Sequence, residues 1–189
     1  VDEHGIPVYA IAKPLKLYGK APRLIIGILS SADGFQRRNA IRNSWLNLAP
    51  EENWDALMAI NLKGPFFLSQ LVGSWMVEQN NLDDSWRGKI INISSISSDA
   101  VSSNRGDYCV AKAGLRMVTK LFAARLADAG INVYEVCPGI IASDMTDPVK
   151  SKYDKMINEG LTPIRRWGEP GDVGKAVVAL AQDYFPFTT

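Results

Sequence analysis

Residues 89–112 decide the fold and have the sequence KIINISSISSDAVSSNRGDYCVAK. Residues 89–94 form a short apolar run rich in isoleucine, which is typical of a strand that is buried on both faces. A loop rich in Ser, Asp and Asn follows, and the residues from Gly106 to Ala129 predict a long helix. A strand followed by a polar loop and a helix is one unit of an α/β fold.

Similar apolar runs occur on both sides of this unit. Residues 24–30 and 131–136 predict two further buried strands, and Gly130 is placed to end the long helix in the left-handed conformation. Apolar residues recur at helical spacing over residues 54–79, where Pro65 predicts a kink. Continuous apolar strands that alternate with helices predict a parallel sheet flanked by helices.

The composition excludes several classes of protein. The chain has 189 residues, of which 47% are hydrophobic, so it can bury a core without disulfides or a structural metal. A net charge of +1 favours neither nucleic acid nor anionic membranes as partners, and no apolar run reaches the roughly 20 residues of a membrane span. Two cysteines, Cys109 and Cys137, and the single His4 exclude a disulfide framework, a zinc finger and a triad that contains histidine. We therefore expect a cytoplasmic protein.

Charge is distributed unevenly along the chain. Residues 1–45 carry a net charge of +4, whereas residues 46–189 carry −3. The break near Trp45 predicts two units, which are a basic strand–helix segment at residues 1–46 and a second unit at residues 47–189. A basic edge of a single domain explains the same asymmetry, and the charge pattern alone does not separate the two interpretations.

Three polar residues within residues 89–112 indicate chemistry on a carbonyl group. Ser95 follows the strand directly, at the carboxyl edge of the sheet where open α/β proteins bind ligands. Tyr108 and Lys112 are one helical turn apart, so the lysine ammonium favours the tyrosinate. A tyrosine beside such a cation can act as a general acid, and a serine hydroxyl can hydrogen-bond a carbonyl oxygen. An exposed helical pair without function is the alternative.

Further residues extend this set in order along the chain. Asn61 lies in Asn-Leu-Lys-Gly-Pro before the expected kink, and residues 138–145, Pro-Gly-Ile-Ile-Ala-Ser-Asp-Met, follow the third strand. Together with the Ser–Tyr–Lys set, these motifs resemble the short-chain dehydrogenase/reductase family from about residue 50 to residue 189, and especially its 3-oxoacyl-carrier-protein reductase branch. The resemblance implies part of a Rossmann-type sheet. It also implies an oxidoreductase that reduces a ketone, such as a 3-oxoacyl thioester of fatty acid biosynthesis, with NADP or NAD.

The resemblance implies a role for each matching residue. Tyr108 would donate a proton to the ketone oxygen, and Ser95 would hydrogen-bond the same oxygen. Lys112 would favour the tyrosinate and bind the nicotinamide ribose, while Asn61 would hold the water of a proton relay. The cofactor-binding residues would be Tyr108, Lys112, Pro138, Gly139, Ile141 and Ser143.

A lid and a partner are implied as well. Residues 142–160, which we expect to be mobile, would form a lid over a small-molecule ketone. The helices at residues 54–79 and 106–129 would form the interface of a homo-oligomer, since packing against their own sheet accounts for only one stripe of each helix.

Two parts of the family pattern are missing from this sequence. No two of the 15 glycines are separated by a single residue, so the Gly-x-x-x-Gly-x-Gly turn that meets the cofactor pyrophosphate does not occur. The Asn-Asn-Ala-Gly segment is also absent, and we expect the sheet to lack the usual N-terminal nucleotide-binding strands and the last strand. Two functions therefore stay open, a ketone reductase and a catalytically silent α/β dimerisation module that has lost the cofactor cradle.

Residues 24–45 have a likeness of their own. The runs LIIGILSS at residues 24–31 and FQRRNAIRNSW at residues 35–45 resemble the opening block of β-1,3-galactosyltransferases. Those enzymes need an Asp-x-Asp metal site, and the adjacent pair Asp83 and Asp84 lacks that spacing, so we predict no metal site. A strand, turn and helix that match by chance are the alternative, and glycosyl transfer as a function rests on this block alone.

Overall fold

The computed structural model describes residues 25–27, 51–82, 87–144 and 146–189 of the chain. The strands in this part are β1 (Ile25–Gly27), β2 (Lys89–Ile93) and β3 (Asn132–Val136). The α-helices are α1 (Glu51–Met58), α2 (Gly64–Leu82), α3 (Gly106–Leu126), α4 (Lys150–Asn158) and α5 (Pro170–Ala181). Within the described ranges, no helix is long and apolar enough to cross a membrane.

The strands form one parallel sheet in the order β1-β2-β3. Ile26 pairs with Ile90, and Ile91 pairs with Tyr134, so β2 lies between the other two strands. This confirms the predicted α/β fold with a small parallel sheet. Three parallel strands in sequential order correspond to the second half of a doubly wound sheet of order 3-2-1-4-5-6, in which β1 takes the place of the fourth strand.

The N-terminal predictions reach beyond what the structure describes. Apart from β1, the basic segment at residues 1–46 lies outside the described residues. The same holds for the rest of the galactosyltransferase-like block at residues 24–45. The boundary near residue 46 therefore stays a prediction, although β1 belongs to the same sheet as β2 and β3.

A hydrophobic core holds α2 and α3 against the sheet. Val72 and Met76 of α2 pack with Leu126 of α3, and Ile90 and Val133 supply the face of the sheet. All five side chains are buried, and burial of each is worth about 1.5–3 kcal/mol. This packing fixes the C-terminal turns of α3 against the sheet, while Lys112 in its early turns donates to the carbonyl of Ile93 at the end of β2.

Between α1 and α2 the chain forms a π-helical turn, Ala59–Lys63. Pro65 lies in the first turn of α2 and has no N–H to donate to the preceding helical ladder. The N–H of Gly64 donates to the carbonyl of Ala59, which is the wider bond of a π turn. The predicted kink therefore exists, and it takes the form of a π turn that packs against α3.

The expected lid contains a helix that the sequence analysis did not predict. Residues 142–160 form a short 3-10 helix, Asp147–Val149, and then α4. Tyr153, Met156 and Ile157 have the i, i+3, i+4 spacing of an amphipathic helix, and Ile157 is buried. This short apolar stripe is the physical reason that the segment is helical.

The end of the long helix follows the prediction closely. The α-helical part of α3 ends at Leu126, and a 3-10 turn, Ala127–Ala129, continues it to the expected residue. Gly130 has φ 65°, in the left-handed region that favours glycine. The N–H of Gly130 donates to the carbonyl of Ala127 and so closes the helix end.

A buried lysine ties α5 to the sheet. Lys89, the first residue of β2, is 1% exposed. Its Nζ donates to the carbonyl of Ala181 at the end of α5 (3.0 Å) and forms an ion pair with Asp183 (2.7 Å). A cation at this position also complements the negative end of the helix dipole.

We expect Lys89→Met to lower the free energy of unfolding by about 1–3 kcal/mol, because it leaves a helix-terminal carbonyl without its donor and removes the ion pair. Urea unfolding followed by circular dichroism measures the change. Lys175→Met, which replaces an exposed lysine of α5, is the matched control and should change the value by less than about 0.5 kcal/mol. Equal midpoints for the two variants would show that the Lys89 contacts add no stability.

Candidate functional site

A cavity of about 640 Å³ lies at the carboxyl edge of the sheet. The residues that follow β2 and β3 form its floor, and the loop before α3 and residues of α4 form its walls. Six of the eight predicted site residues line this cavity, namely Ser95, Tyr108, Pro138, Gly139, Ile141 and Ser143. The other two, Asn61 and Lys112, do not line it. The structure thus assembles most of the predicted site from segments far apart in sequence.

Ser95 is held in one orientation by the turn that follows it. Its Oγ accepts a hydrogen bond from the N–H of Ser97 (3.1 Å), which caps the 3-10 helix Ile96–Ser98. The N–H of Ile96 donates to the carbonyl of Pro138 (2.9 Å), so the turn is fastened to the chain after β3. The hydroxyl proton of Ser95 is left to donate toward the cavity.

Two cations lie close to the ring of Tyr108. Lys112 Nζ is 5.6 Å from the ring centroid, and Arg105 Cζ is 5.3 Å from it. The tyrosine also packs against the buried pair Leu57 and Ala111, which fixes the ring where α1 meets α3. A phenol held in this position can present its hydroxyl to a ligand in the cavity.

Lys112 is a buried cation behind the tyrosine. Its Nζ donates to the carbonyl of Ile93 at the end of β2 (3.3 Å). Burial lowers the pKa of Lys112 from 10.5 to about 8, an effect that Glu135 and Cys137 partly oppose. The amine is thus mostly protonated at neutral pH. Its contact with Ile93 places it beside the cavity floor without lining the cavity.

Asn61 lies in the π turn, at a distance from the cavity wall. Its Nδ2 donates to the carbonyl of Leu57 (3.2 Å), and the side chain is half-buried. The turn approaches α3 closely, because a Cβ on Gly114 would lie 2.9 Å from the δ-carbons of Leu62. The structure therefore brings Asn61 to the helix that carries Tyr108 and Lys112, and leaves it outside the cavity lining.

An acidic group lies beside Lys112 on β3. Glu135 Oε2 is 3.8 Å from Arg116 Nε, and Arg116 also pairs with Asp99. Burial raises the pKa of the neighbouring Cys137 thiol, and the Glu135 carboxylate raises it further. The thiol therefore stays protonated at neutral pH, and a nucleophilic role for it is not supported.

The residues after β3 form a wall of the cavity, where the family resemblance predicts a nicotinamide ring and its ribose. A Cβ on Gly139 would meet nothing within 4 Å, so the wall is open to a flat ligand there. The N–H of Ser143 donates to Thr146 Oγ1 (2.9 Å), and the Thr146 hydroxyl in turn donates to the backbone carbonyls of this turn, which fixes its shape. The open wall beside Gly139 leaves room for the nicotinamide end of such a cofactor, whereas the described residues contain no glycine-rich turn for its pyrophosphate.

The wall is braced by a second segment. Ile141 forms a parallel bridge with Gly168, and the N–H of Ala142 donates to the carbonyl of Gly168 (2.8 Å). A Cβ on Gly168 would clash with Ile141 Cδ1, so a larger residue would require the Ile141 side chain to shift. Next to it, Trp167 Nε1 donates to Asp154 of α4 (2.6 Å), which holds α4 over the cavity.

Sequence reasoning missed several cavity residues. Arg105 and Lys152 both line the cavity, and so do Thr146 and Tyr153. Arg105 precedes Tyr108 by one helical turn, and this spacing was available as a signal. Lys152 could not have been found in this way, because its position depends on how α4 docks.

The fold and the site together define a class of protein, an α/β protein of the Rossmann type with a ligand cavity at the carboxyl edge of its sheet. Residues 26–189 match a family model described as Enoyl-(Acyl carrier protein) reductase. The chain belongs to the short-chain dehydrogenase/reductase family.

Individual relatives are similar over much of the chain. It is 35% identical to the 3-oxoacyl-(acyl-carrier-protein) reductase FabG of Rickettsia felis over 173 residues, 92% of this chain and 66% of that protein. It is 33% identical to the enzyme of the same name from Thermotoga maritima over 148 residues, 78% of this chain and 57% of that protein. A crystal structure of a 3-oxoacyl-(acyl-carrier protein) reductase from Brucella melitensis in complex with NAD superimposes with a TM-score of 0.67 and 44% identity. That match covers 76% of this chain and 55% of the other. The chain thus spans less than two thirds of these relatives.

Proposed function

We propose that the chain carries the catalytic half of a nicotinamide-dependent ketone reductase, with a 3-oxoacyl thioester as substrate. One observation carries the proposal: Ser95 and Tyr108 open onto the same cavity while Lys112 is held behind the tyrosine ring. The similarity to 3-oxoacyl-(acyl-carrier-protein) reductases supports the substrate class.

In this proposal the ketone oxygen accepts hydrogen bonds from Ser95 and Tyr108. Tyr108 then gives its proton to that oxygen, and the Lys112 ammonium stabilises the tyrosinate that remains. When bound, NADP or NAD supplies the hydride that reaches the carbonyl carbon. Pro138, Gly139, Ile141 and the hydroxyl of Ser143 would hold its nicotinamide end.

Two of the proposed roles need a rearrangement. To bind a ribose, the Lys112 amine must give up its bond to the carbonyl of Ile93. To hold a relay water, Asn61 must use its side-chain oxygen or release Nδ2, because Nδ2 donates to the carbonyl of Leu57. Both are therefore proposed as roles in the loaded protein.

The direct test measures oxidation of NADPH or NADH by the full chain in the presence of an acetoacetyl thioester. Turnover that saturates with thioester is the expected result. No turnover by folded protein with either cofactor would reject the reductase proposal.

The catalytically silent module is the second candidate, and the missing glycine-rich turn favours it. A pyrophosphate cradle supplies charge-assisted hydrogen bonds worth about 1.5–3 kcal/mol each. Loss of two would weaken cofactor binding roughly a hundredfold or more. A titration of NADPH followed by tryptophan fluorescence separates the candidates, because micromolar affinity contradicts the silent module.

We also propose that α2 and α3 bind a second copy of this chain, in the cytoplasm, where Cys109 and Cys137 stay reduced. Each helix exposes an apolar i, i+4 pair, which is Phe67 and Leu71 on α2 and Met117 and Leu121 on α3. These four side chains are 53–54% exposed. Such pairs on two adjacent helices are typical of an interface.

We expect the double variant Phe67→Glu/Leu121→Glu to be a monomer. In a homo-oligomer each copy of this variant would bury two unpaired carboxylates in the interface. Light scattering after size-exclusion chromatography measures the mass. Val178→Glu, at an exposed apolar residue of α5, is the control and should leave the mass unchanged. A monomeric wild-type chain would contradict the proposed partner.

A further inference from the structure

The residues that line the cavity carry a net positive charge. Among the residues that line it, Arg105 and Lys152 are charged, and no Asp or Glu is present. Within the described ranges, neither cation lies within ion-pair distance of a carboxylate. Arg105 is half-buried and Lys152 is exposed, and since no described carboxylate neutralises either of them, both are available to a bound anion.

Arg105 is held so that its guanidinium stays near the reacting groups. Its Nε donates to Ser102 Oγ (3.2 Å), and its Cζ lies 5.3 Å from the Tyr108 ring centroid. The Nη donors have no hydrogen-bond partner among the described residues. A half-buried guanidinium with free donors binds an oxyanion through paired hydrogen bonds.

Lys152 approaches the cavity from α4, in the wall that includes Tyr153 and Met156. The contact of Asp154 with Trp167 fixes α4, so the position of the Lys152 backbone is set by the fold. The Asp107 carboxylate, next to Tyr108 in sequence, accepts from the N–H of Tyr108 and is not among the lining residues. The net charge offered to a ligand is therefore positive.

We infer that this cavity takes a ketone that carries an oxyanion, a carboxylate or a phosphate ester, and that Arg105 with Lys152 binds it. The inference rests on the proposed function for the ketone alone, and it narrows the substrate to a ketone that also carries an oxyanion. Its chemistry follows from the cavity: hydroxyls of Ser95 and Tyr108 for a carbonyl oxygen, and a guanidinium beside them for the anion.

Binding without turnover tests the inference. Ligand-observed NMR titration of the full chain compares levulinate, a keto acid, with methyl levulinate, its neutral ester. Dihydroxyacetone phosphate is the second anionic arm and distinguishes a phosphate from a carboxylate. We expect at least one anion to bind about tenfold more tightly than the ester, as a single charge-assisted hydrogen bond provides, and to lose this advantage at high salt.

Variants assign the effect to the two cations. Arg105→Gln should reduce most of the ratio of anion to ester affinity, Lys152→Gln should reduce it in part, and the double variant should bring it to near unity. Arg105→Lys keeps the positive charge but loses the bidentate hydrogen bonding of the guanidinium, so it should give an intermediate ratio. Lys150→Gln, at an exposed lysine of α4 outside the cavity, is the matched control and should leave the ratio unchanged.

The outcomes separate this inference from the proposed function. Equal affinities for anion and ester in the wild-type chain, or no binding of either anion, overturn the inference. An anion preference that is undiminished in Arg105→Gln, or that persists in the double variant with Lys152→Gln, overturns it as well. Arg105-dependent anion binding without any ketone reduction rejects the proposed function and retains the oxyanion site.

Discussion

Tyr108→Phe is expected to reduce turnover of an acetoacetyl thioester about a thousandfold, with little change in stability. The substitution removes the proton donor, and general acid catalysis of this kind contributes a factor of about 10²–10⁴. The phenylalanine ring keeps the packing against Leu57 and Ala111 and its place close to the cations. Oxidation of NADPH at saturating thioester measures the effect on turnover.

The control for this experiment is Tyr184→Phe. Tyr184 is 70% exposed and lies outside the cavity, so loss of its hydroxyl should change turnover less than twofold, within about 0.4 kcal/mol of the activation barrier. Turnover by Tyr108→Phe within tenfold of the wild type would remove the tyrosine from the proposed mechanism. Ser95→Ala would then test whether the serine hydroxyl acts alone on the ketone.

The second large effect concerns stability and pH at Lys112. Its folded-state pKa is about 8, against 10.5 for an ordinary lysine, and burial is the main cause. Between these two pH values the unfolded chain binds more protons than the folded chain, so stability rises as pH rises. The rise amounts to roughly 3 kcal/mol for this shift.

Lys112→Met should abolish this rise of the free energy of unfolding with pH. Below about pH 8 the wild-type protein must keep a buried ammonium, and above it the folded amine becomes neutral while the unfolded amine stays charged. Urea unfolding of both proteins across this range gives the difference, in which other titrating groups cancel. A difference between wild type and variant that stays constant with pH would show that the Lys112 amine is not desolvated in solution.

Several features of the fold could be predicted because they depend on neighbours in sequence. Continuous isoleucine-rich runs form strands buried on both faces, and Pro65 disturbs any helical ladder that includes it. Gly130 ends its helix because glycine accepts a positive φ at little cost. The helix α4 was missed because its apolar stripe is only five residues long, too short to stand out from a polar segment.

For the site, the sequence by itself determined which groups are available: a serine after a strand, a tyrosine and lysine one turn apart, and the Pro-Gly segment after the next strand. Only the tertiary structure decided how they are used. It brings Ser95 and Tyr108 to one cavity, buries Lys112 behind the ring, and leaves Asn61 outside the lining. It also adds Arg105 and Lys152 to the walls. The reason is physical, since helical spacing fixes neighbours along one element, whereas burial and charge depend on which elements the hydrophobic core packs together.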